Sequence, residues 1–438
     1  MHRFAEADSK LRGLAVAIDS ERVAPRLGAA LRAAGVRHLE VTRCAVERLR
    51  YRRGTRALVL YAVELRDHRD GSLHPVWVGG SLLPGDRAAR LARRAGRERG
   101  AEPGASTTDL GTLHDPELDL LWQFFPTDRH LPHLRAVAFP TRAVRAALLA
   151  PTFADAAVDI TCTRYRPGIG AALRAVDRHR GALYLKVYPA GASVAVMARA
   201  ASLARTGGPH DTPTLVLPRW HAESVSALAV PAARGRSLDA LVADPAADVG
   251  VAARRAADAL HRFHASPVDP GQTESRDAVA TSARHIATNL AQALPECEGE
   301  LGELARAIAA RLPATEPRPT HLDLKPDHVF LDDDRVSLID LDGSASADPM
   351  ADPALLLARL DAAVLAGDAH TDRIRGLRDA FADRYLEQAP APWTARLGPH
   401  HAHAALRVAL YWWQHLAPDW PTRVRITLDR AWDALGRD

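Results

Sequence analysis

Apolar and polar positions fall into short alternating runs over the first half of the chain and into helical spacing over the second. Residues 20–35 open on a cap-like Ser20 and end at Gly35, which predicts a helix. Strand patterns follow at 57–65 and 76–78 across a polar turn, and Asp86–Arg97 reads as a basic helix. The Gly/Pro/Ser/Thr-rich stretch 100–111 is a loop. A second block begins near Val158 and runs to Gly170, then Ala171–Val176, a turn and the Lys186 strand, followed by a helix over Ser193–Arg205 and strands at Thr214–Leu217 and Val225–Val230. From Leu238 the spacing is helical, with helices over Val251–His264, Arg284–Leu294, Arg373–Leu386, Ala404–His415 and Arg423–Leu435. Only residues 320–342 interrupt it, as a loop and a short hairpin that turns on Asp332-Asp333-Asp334. Strands followed by helices predict an α+β enzyme.

A weak repeat underlies the first half. Arg50-Tyr51-Arg52-Arg53-Gly54 recurs as Arg164-Tyr165-Arg166-Pro167-Gly168, each followed by strands and an Ala/Arg-rich helix. Two readings fit: a partial duplication, or two unrelated hairpins sharing a basic turn. Gly168 and Gly170 fit an ordinary hairpin turn. The expected organisation is an accessory α/β unit over 1–150, a strand-rich lobe over 151–235 and a helical lobe over 236–438.

Composition narrows the function classes. A chain of 438 residues, 47% hydrophobic and 25% charged, suits an ordinary globular protein of two or three domains. The net charge of +4 is too even for a dedicated nucleic-acid binder. Cys44, Cys162 and Cys297 form no C-x-x-C pair, so a disulfide framework or zinc site is not expected, and a reducing cytoplasm fits. The N-terminus shows no signal segment, and runs such as Ala146–Leu149 and Leu355–Ala358 are too short for a bilayer, so no membrane partner is expected. Nothing in the sequence specifies an oligomeric state. His400, His401 and His403 read as a solvated helix start, and Tyr411-Trp412-Trp413 as helix core.

Of 57 basic residues only Lys10, Lys186 and Lys325 are lysines. Lys10 has no motif around it. Lys186 sits in the apolar strand Leu183-Tyr184-Leu185-Lys186-Val187-Tyr188, and Lys325 in His321-Leu322-Asp323-Leu324-Lys325-Pro326-Asp327-His328. Phosphoryl transfer needs an acceptor for the nucleophile's proton, anionic metal ligands and a cation on the nucleotide phosphates. Kinase catalytic loops place an Asp and a metal-binding Asn five positions apart, before a hairpin that delivers a second metal-binding Asp. Here Asp323 and His328 are five apart and Asp340 follows the hairpin, with Lys186 upstream.

On these motifs, with Ala347-Asp348-Pro349-Met350-Ala351-Asp352 and the helix ending at His264, the chain resembles the aminoglycoside phosphotransferase and choline kinase-like family from Val158 onward. The resemblance implies a two-lobed protein-kinase-like fold preceded by the extra α/β unit. It implies Asp323 as catalytic base, Asp340 as principal magnesium ligand, His321 as a brace for the loop and Lys186 on the phosphates of ATP. Backbone near Val230-Pro231-Ala232 would meet adenine. Two departures matter: His328 replaces an Asn, which suits Mn²⁺ better than Mg²⁺, and the helix Ser193–Arg205 lacks the Glu that pairs with the strand lysine. His328 is open to three roles, as metal ligand, hydrogen-bonding filler or water holder. The expected activity is ATP-dependent phosphorylation of a hydroxyl on a small molecule, a sugar or aminoglycoside-like compound, as in bacterial maltose or glucosamine kinases, whose catalytic-loop wording is nevertheless absent. Asp-Leu-Lys-Pro, with Lys325 two places after the base, is the wording of Ser/Thr protein kinases and keeps a peptide hydroxyl open, for instance in ribosomal peptide biosynthesis. A pseudokinase that binds nucleotide or peptide without turnover is the reading from another class.

Overall fold

The computed structural model describes residues 3–98, 110–149, 158–177, 181–205, 213–312, 315–333 and 335–436. The loop expected over 100–111 lies almost wholly outside them. Helix α1 (Ser20–Ala33) is capped one residue earlier than expected, because Asp19 accepts from the Glu21 and Arg22 amides while Ser20 Oγ accepts from Val46 N. Strands β1 (Leu39–Arg52), β2 (Arg56–Asp67), β3 (Leu73–Leu82), β4 (Thr112–Asp115) and β5 (Leu120–Phe124) form an antiparallel sheet in the order β1-β2-β3-β5-β4. Most of β2 is buried on both faces, so it reads as a continuous apolar run and not as an alternation.

The second sheet repeats the plan. Strands β6 (Asp159–Arg166), β7 (Gly170–Asp177) and β8 (Gly181–Val187) form a meander extended by β10 (Trp220–Ala222) and β11 (Ala227–Pro231) in the order β10-β11-β8-β7-β6; β9 (Thr214–Leu215) lies outside it. The repeated turns share one cap. Asp8 Oδ2 accepts from Tyr51 OH and Gly54 N, both at 2.8 Å; Asp128 Oδ2 accepts from Tyr165 OH at 2.9 Å and Gly168 N at 2.7 Å. Gly54 and Gly168 have φ of 61° and 72°, a left-handed conformation that glycine adopts at no steric cost. Each cap opens the same pattern, Asp8-x-x-Leu11-x-x-Leu14 and Asp128-x-x-Leu131-x-x-Leu134, with all four leucines buried. Two unrelated hairpins would not share these contacts; the partial duplication is the reading they support.

Helix α2 (Ala192–Arg205) flanks the second sheet. The helical lobe comprises α3 (Val249–Ala265), α4 (Arg276–Ala293), α5 (Glu298–Arg311), α6 (Ala351–Ala366), α7 (Thr371–Gln388), α8 (Leu397–Gln414) and α9 (Trp420–Ala434). Between α5 and α6 lie β13 (Arg318–Thr320), the hairpin of β14 (Val329–Leu331) and β15 (Val336–Leu338), and β16 (Ala345–Ala347). Strand β12 (Arg236–Ser237) pairs with β14, and β9 pairs parallel to β15, so both lobes meet at this hairpin. Helix α8 starts seven residues before the expected Ala404, which corrects the reading of its histidines as solvated. His400 Nε2 lies 3.1 Å from Asp348 Oδ2, His401 Nε2 3.4 Å from Asp361 Oδ2, and His403 Nε2 3.1 Å from Ser282 Oγ. Trp412 and Trp413 are core, as expected, whereas Tyr411 turns outward.

One continuous core joins the first sheet to α4, α5, α6, α8 and α9, where Phe4, Tyr51, Trp413 and Trp420 meet ring to ring. Leu131, Leu134 and Val137 instead pack with the second sheet, and Leu60 of β2 joins them from the first. The N-terminal unit therefore touches both lobes. Among the described residues no helix is long and apolar enough to cross a membrane.

Candidate active site

The loop 320–328 is held from beneath. Asp352, fully buried in the first turn of α6, accepts from His321 N and Leu322 N at 2.7 Å each, and faces His264 Nε2 at 3.0 Å. These bonds hold Leu322 at φ 65°, a conformation a branched side chain adopts only when its surroundings impose it. His321 Nδ1 accepts from Asp323 N at 3.3 Å, so Nε2 carries the proton and donates to Ile339 O at 2.8 Å. His321 thus ties the loop to the strand that delivers Asp340.

Asp323 Oδ1 accepts from Arg407 Nη2 at 3.0 Å, and Oδ2 lies 3.2 Å from Lys325 Nζ. Burial pushes its carboxyl up, but Lys325 and Arg407 outweigh burial and hold it below the usual range. It is therefore an ionised acceptor at neutral pH. Asp340, at φ 61°, receives Lys186 Nζ at 2.6 Å on Oδ1 and has His328 Nε2 3.5 Å from Oδ2. Burial opposes its ionisation, but Lys186 and His328 outweigh burial and hold the carboxyl well below the usual range. His328 is buried and stacked on His321 with ring centroids 5.5 Å apart; burial first, then Lys325, pushes its imidazole down to about 3. It is a neutral nitrogen donor.

Donor atoms of Asp323, His328 and Asp340 all lie within 4.8 Å of one another, the one such group among the described residues. Two carboxylates and a neutral imidazole can hold a divalent cation. Their oxygens suit magnesium, and the nitrogen moves the preference toward manganese.

Lys186 has its partner. Besides Asp340 it donates to Asp342 Oδ1 at 2.9 Å, while Tyr188 OH donates to Asp342 Oδ2 at 2.6 Å and Arg199 donates to the Asp342 carbonyl. Arg199 comes from α2, the helix that lacks the Glu expected to pair with Lys186. Leu228 of β11 pairs with Lys186 of β8. Val230 lines a small cavity with Lys186 and Asp340, and Ala232 lines an adjoining cleft of about 920 Å³ with Arg234 and Asp332; Val216, Leu217 and Pro218 line both. A further cavity of about 370 Å³ opens on Asp323 and is lined also by Glu274, Ser282, His403 and Arg407. Asp342, Tyr188, Asp352, Arg199 and Arg407 were not assigned from sequence. The Asp340-x-Asp342 doublet and the last residue of the Asp348–Asp352 motif were visible signals; Arg407 had none.

No curated protein sequence matches the chain. In fold it is similar to a choline/ethanolamine kinase family protein from Mesorhizobium loti, at 16% identity and TM-score 0.45, over 68% of this chain and 94% of that one. It is also similar to the aminoglycoside phosphotransferase APH(3'')-Id of Streptomyces rimosus, at 24% identity and TM-score 0.41, over 58% of this chain and 96% of that one. The model of the phosphotransferase enzyme family matches residues 161–380, half of the chain, from the first strand of the second sheet through the 320–342 segment and on into α7. Half the sequence and a two-lobed α+β fold around Asp323 and Asp340 agree: the chain belongs to the phosphotransferase enzyme family.

Proposed function

We propose that the protein transfers the γ-phosphoryl group of ATP to a hydroxyl of a small molecule. The observation that carries this reading is the cavity of about 370 Å³ that opens on an ionised Asp323, beside Asp340 and Lys186. The acceptor oxygen forms a bond to the γ-phosphorus as the bond to the β–γ bridging oxygen breaks, and ADP leaves with that electron pair. Asp323 accepts the hydroxyl proton. Lys325 and Arg407 keep the Asp323 carboxylate ionised and aimed. Lys186 exchanges its carboxylate partners for nucleotide phosphate, and backbone at Val230 and Ala232 meets the base. Asp340 and His328, with Asp323 close by, would hold magnesium or manganese, which when bound neutralises charge on the phosphate oxygens. The division at about 150 and 235, and action in the cytoplasm, belong to the same proposal.

A peptide hydroxyl is the second reading, favoured by Lys325 at 3.2 Å from the base. The volume of about 370 Å³ between α4 and α8 supports a small acceptor over an extended chain. Single-turnover transfer from labelled ATP, with either metal, over polyols, aminoglycosides and Ser/Thr peptides tests the reading. Asp323→Ala is expected to slow transfer by about 10²- to 10⁴-fold. Equal rates for the variant and the wild type would overturn the assignment. ATP binding without transfer to any acceptor would make the protein a binding module.

A further inference from the structure

A second group of cationic side chains lies along α8 from Arg407, the arginine that lines the cavity at Asp323. One side of α8 presents Arg407, Tyr411 and Gln414 at helical spacing, and His415 caps its end. Arg407 is the member on Asp323, at 3.0 Å. Further along, Arg359 of α6 lies over the Tyr411 ring, 5.1 Å from its centroid, and the Tyr411 and His415 rings are 4.0 Å apart. Arg48 reaches this face from β1 of the N-terminal sheet and donates to Gln414 Oε1 at 2.8 Å. Arg164 of β6 completes the group: after burial, Arg48, Arg359 and Arg164 are the charges that push the His415 imidazole down, to about 4.

These guanidinium groups come from three separate parts of the chain, and among the described residues none of the three is ion-paired. The Nε atoms of Arg48 and Arg359 are buried without a hydrogen-bond partner. Burial, then Arg166, Arg50 and Arg164, lower Arg48 to about 10. Asp323 and Asp327 offset the charge of Arg359 in part, but neither pairs with it; bringing like charges together with so little compensation is unfavourable, and sites that do so are candidates for ligand binding. The cavity at Asp323 offers only one other carboxylate, Glu274, which burial pushes up, so it is poorly suited to a polycation.

We propose that Arg48 and Arg359 bind an anionic group of the acceptor, a phosphate monoester or a carboxylate, so that the substrate is an anionic hydroxy compound that turns a hydroxyl toward Asp323. The anionic end is held by forked guanidinium contacts, and the N-terminal unit contributes to the acceptor site through Arg48. The role of Asp323 here rests on the phosphoryl-transfer reading; the anion binding does not.

Calorimetric titration separates the two. With the nucleotide cleft saturated by a non-hydrolysable ATP analogue and magnesium, the protein is titrated with glycerol 3-phosphate, with tartrate and with glycerol. Glycerol 3-phosphate or tartrate is expected to bind at least about tenfold more tightly than glycerol, whichever is tighter naming the anion, and to weaken as salt rises. Arg48→Gln combined with Arg359→Gln is expected to remove that preference, with Arg359→Lys retaining part of it. Equal binding of the three probes by the wild type, a comparison that needs no variant, would overturn the proposal; so would a folded double variant with an unchanged preference. Anion binding without phosphoryl transfer to any acceptor would remove the phosphoryl-transfer reading and leave the anion site standing. Transfer to neutral or cationic acceptors with no anion preference would do the reverse.

Discussion

At position 328 an imidazole stands where an oxygen donor would suit magnesium better, and its burial keeps it neutral and available. His328→Asn is expected to raise magnesium-supported turnover relative to manganese-supported turnover by about tenfold, measured as a ratio of rates on the same preparation. An unchanged ratio would show that the side chain does not face the metal. Asp323, His328 and Asp340 were legible because the chemistry requires them close together in sequence, at a spacing set by one loop and one hairpin. Lys186 was legible because a lone lysine in an apolar strand is conspicuous. Asp342 was overlooked because a helix Glu was sought and α2 carries Arg199 instead. Arg407 and Arg359 were hidden among 57 basic residues, since only tertiary packing brings α6 and α8 to the base.

The two meanders show the same limit one level up. The repeat Tyr-x-x-Gly was visible at 51–54 and 165–168, but the carboxylates that cap the turns lie well upstream, at Asp8 and Asp128. The pattern Asp-x-x-Leu-x-x-Leu would have located both. Because each Asp satisfies a buried Tyr hydroxyl and a Gly amide with the same oxygen, Asp8→Ala and Asp128→Ala are expected to cost about 2–3 kcal/mol each. Denaturant unfolding of the two variants checks this, and a cost at one site but not the other would mean that the caps are not equivalent. Helix ends were misjudged for a related reason. Ala404 looked like a start because three nearby histidines read as polar, whereas Asp348 and Asp361 draw His400 and His401 inward and α8 begins at Leu397.

Buried neutral histidines make the whole molecule sensitive to acid. His328 and His403 are each pushed down to about 3 by burial, whereas in the unfolded chain they titrate near 6.5. The unfolded state therefore takes up protons first, so the stability these groups confer is complete above about pH 6.5 and is lost as pH falls toward 3. The melting temperature is expected to decline steadily from about pH 6.5 to 4.5, with each histidine costing about 1.4 kcal/mol per pH unit well below 6.5. A flat profile would contradict their burial. A second consequence lies in how the lobes are joined. The chain crosses between them at 231–236, and the N-terminal unit makes a second connection: Phe4 and Tyr51 lock it to the helical lobe, while Leu60 packs with the second sheet and Gly79 lies close against Pro167. A body supported at two separated places cannot gape freely; only rotation about the line through both supports stays easy. The mouth of the cleft is therefore expected to keep a nearly constant width when nucleotide binds, so that little ordering entropy is left to lose at that step.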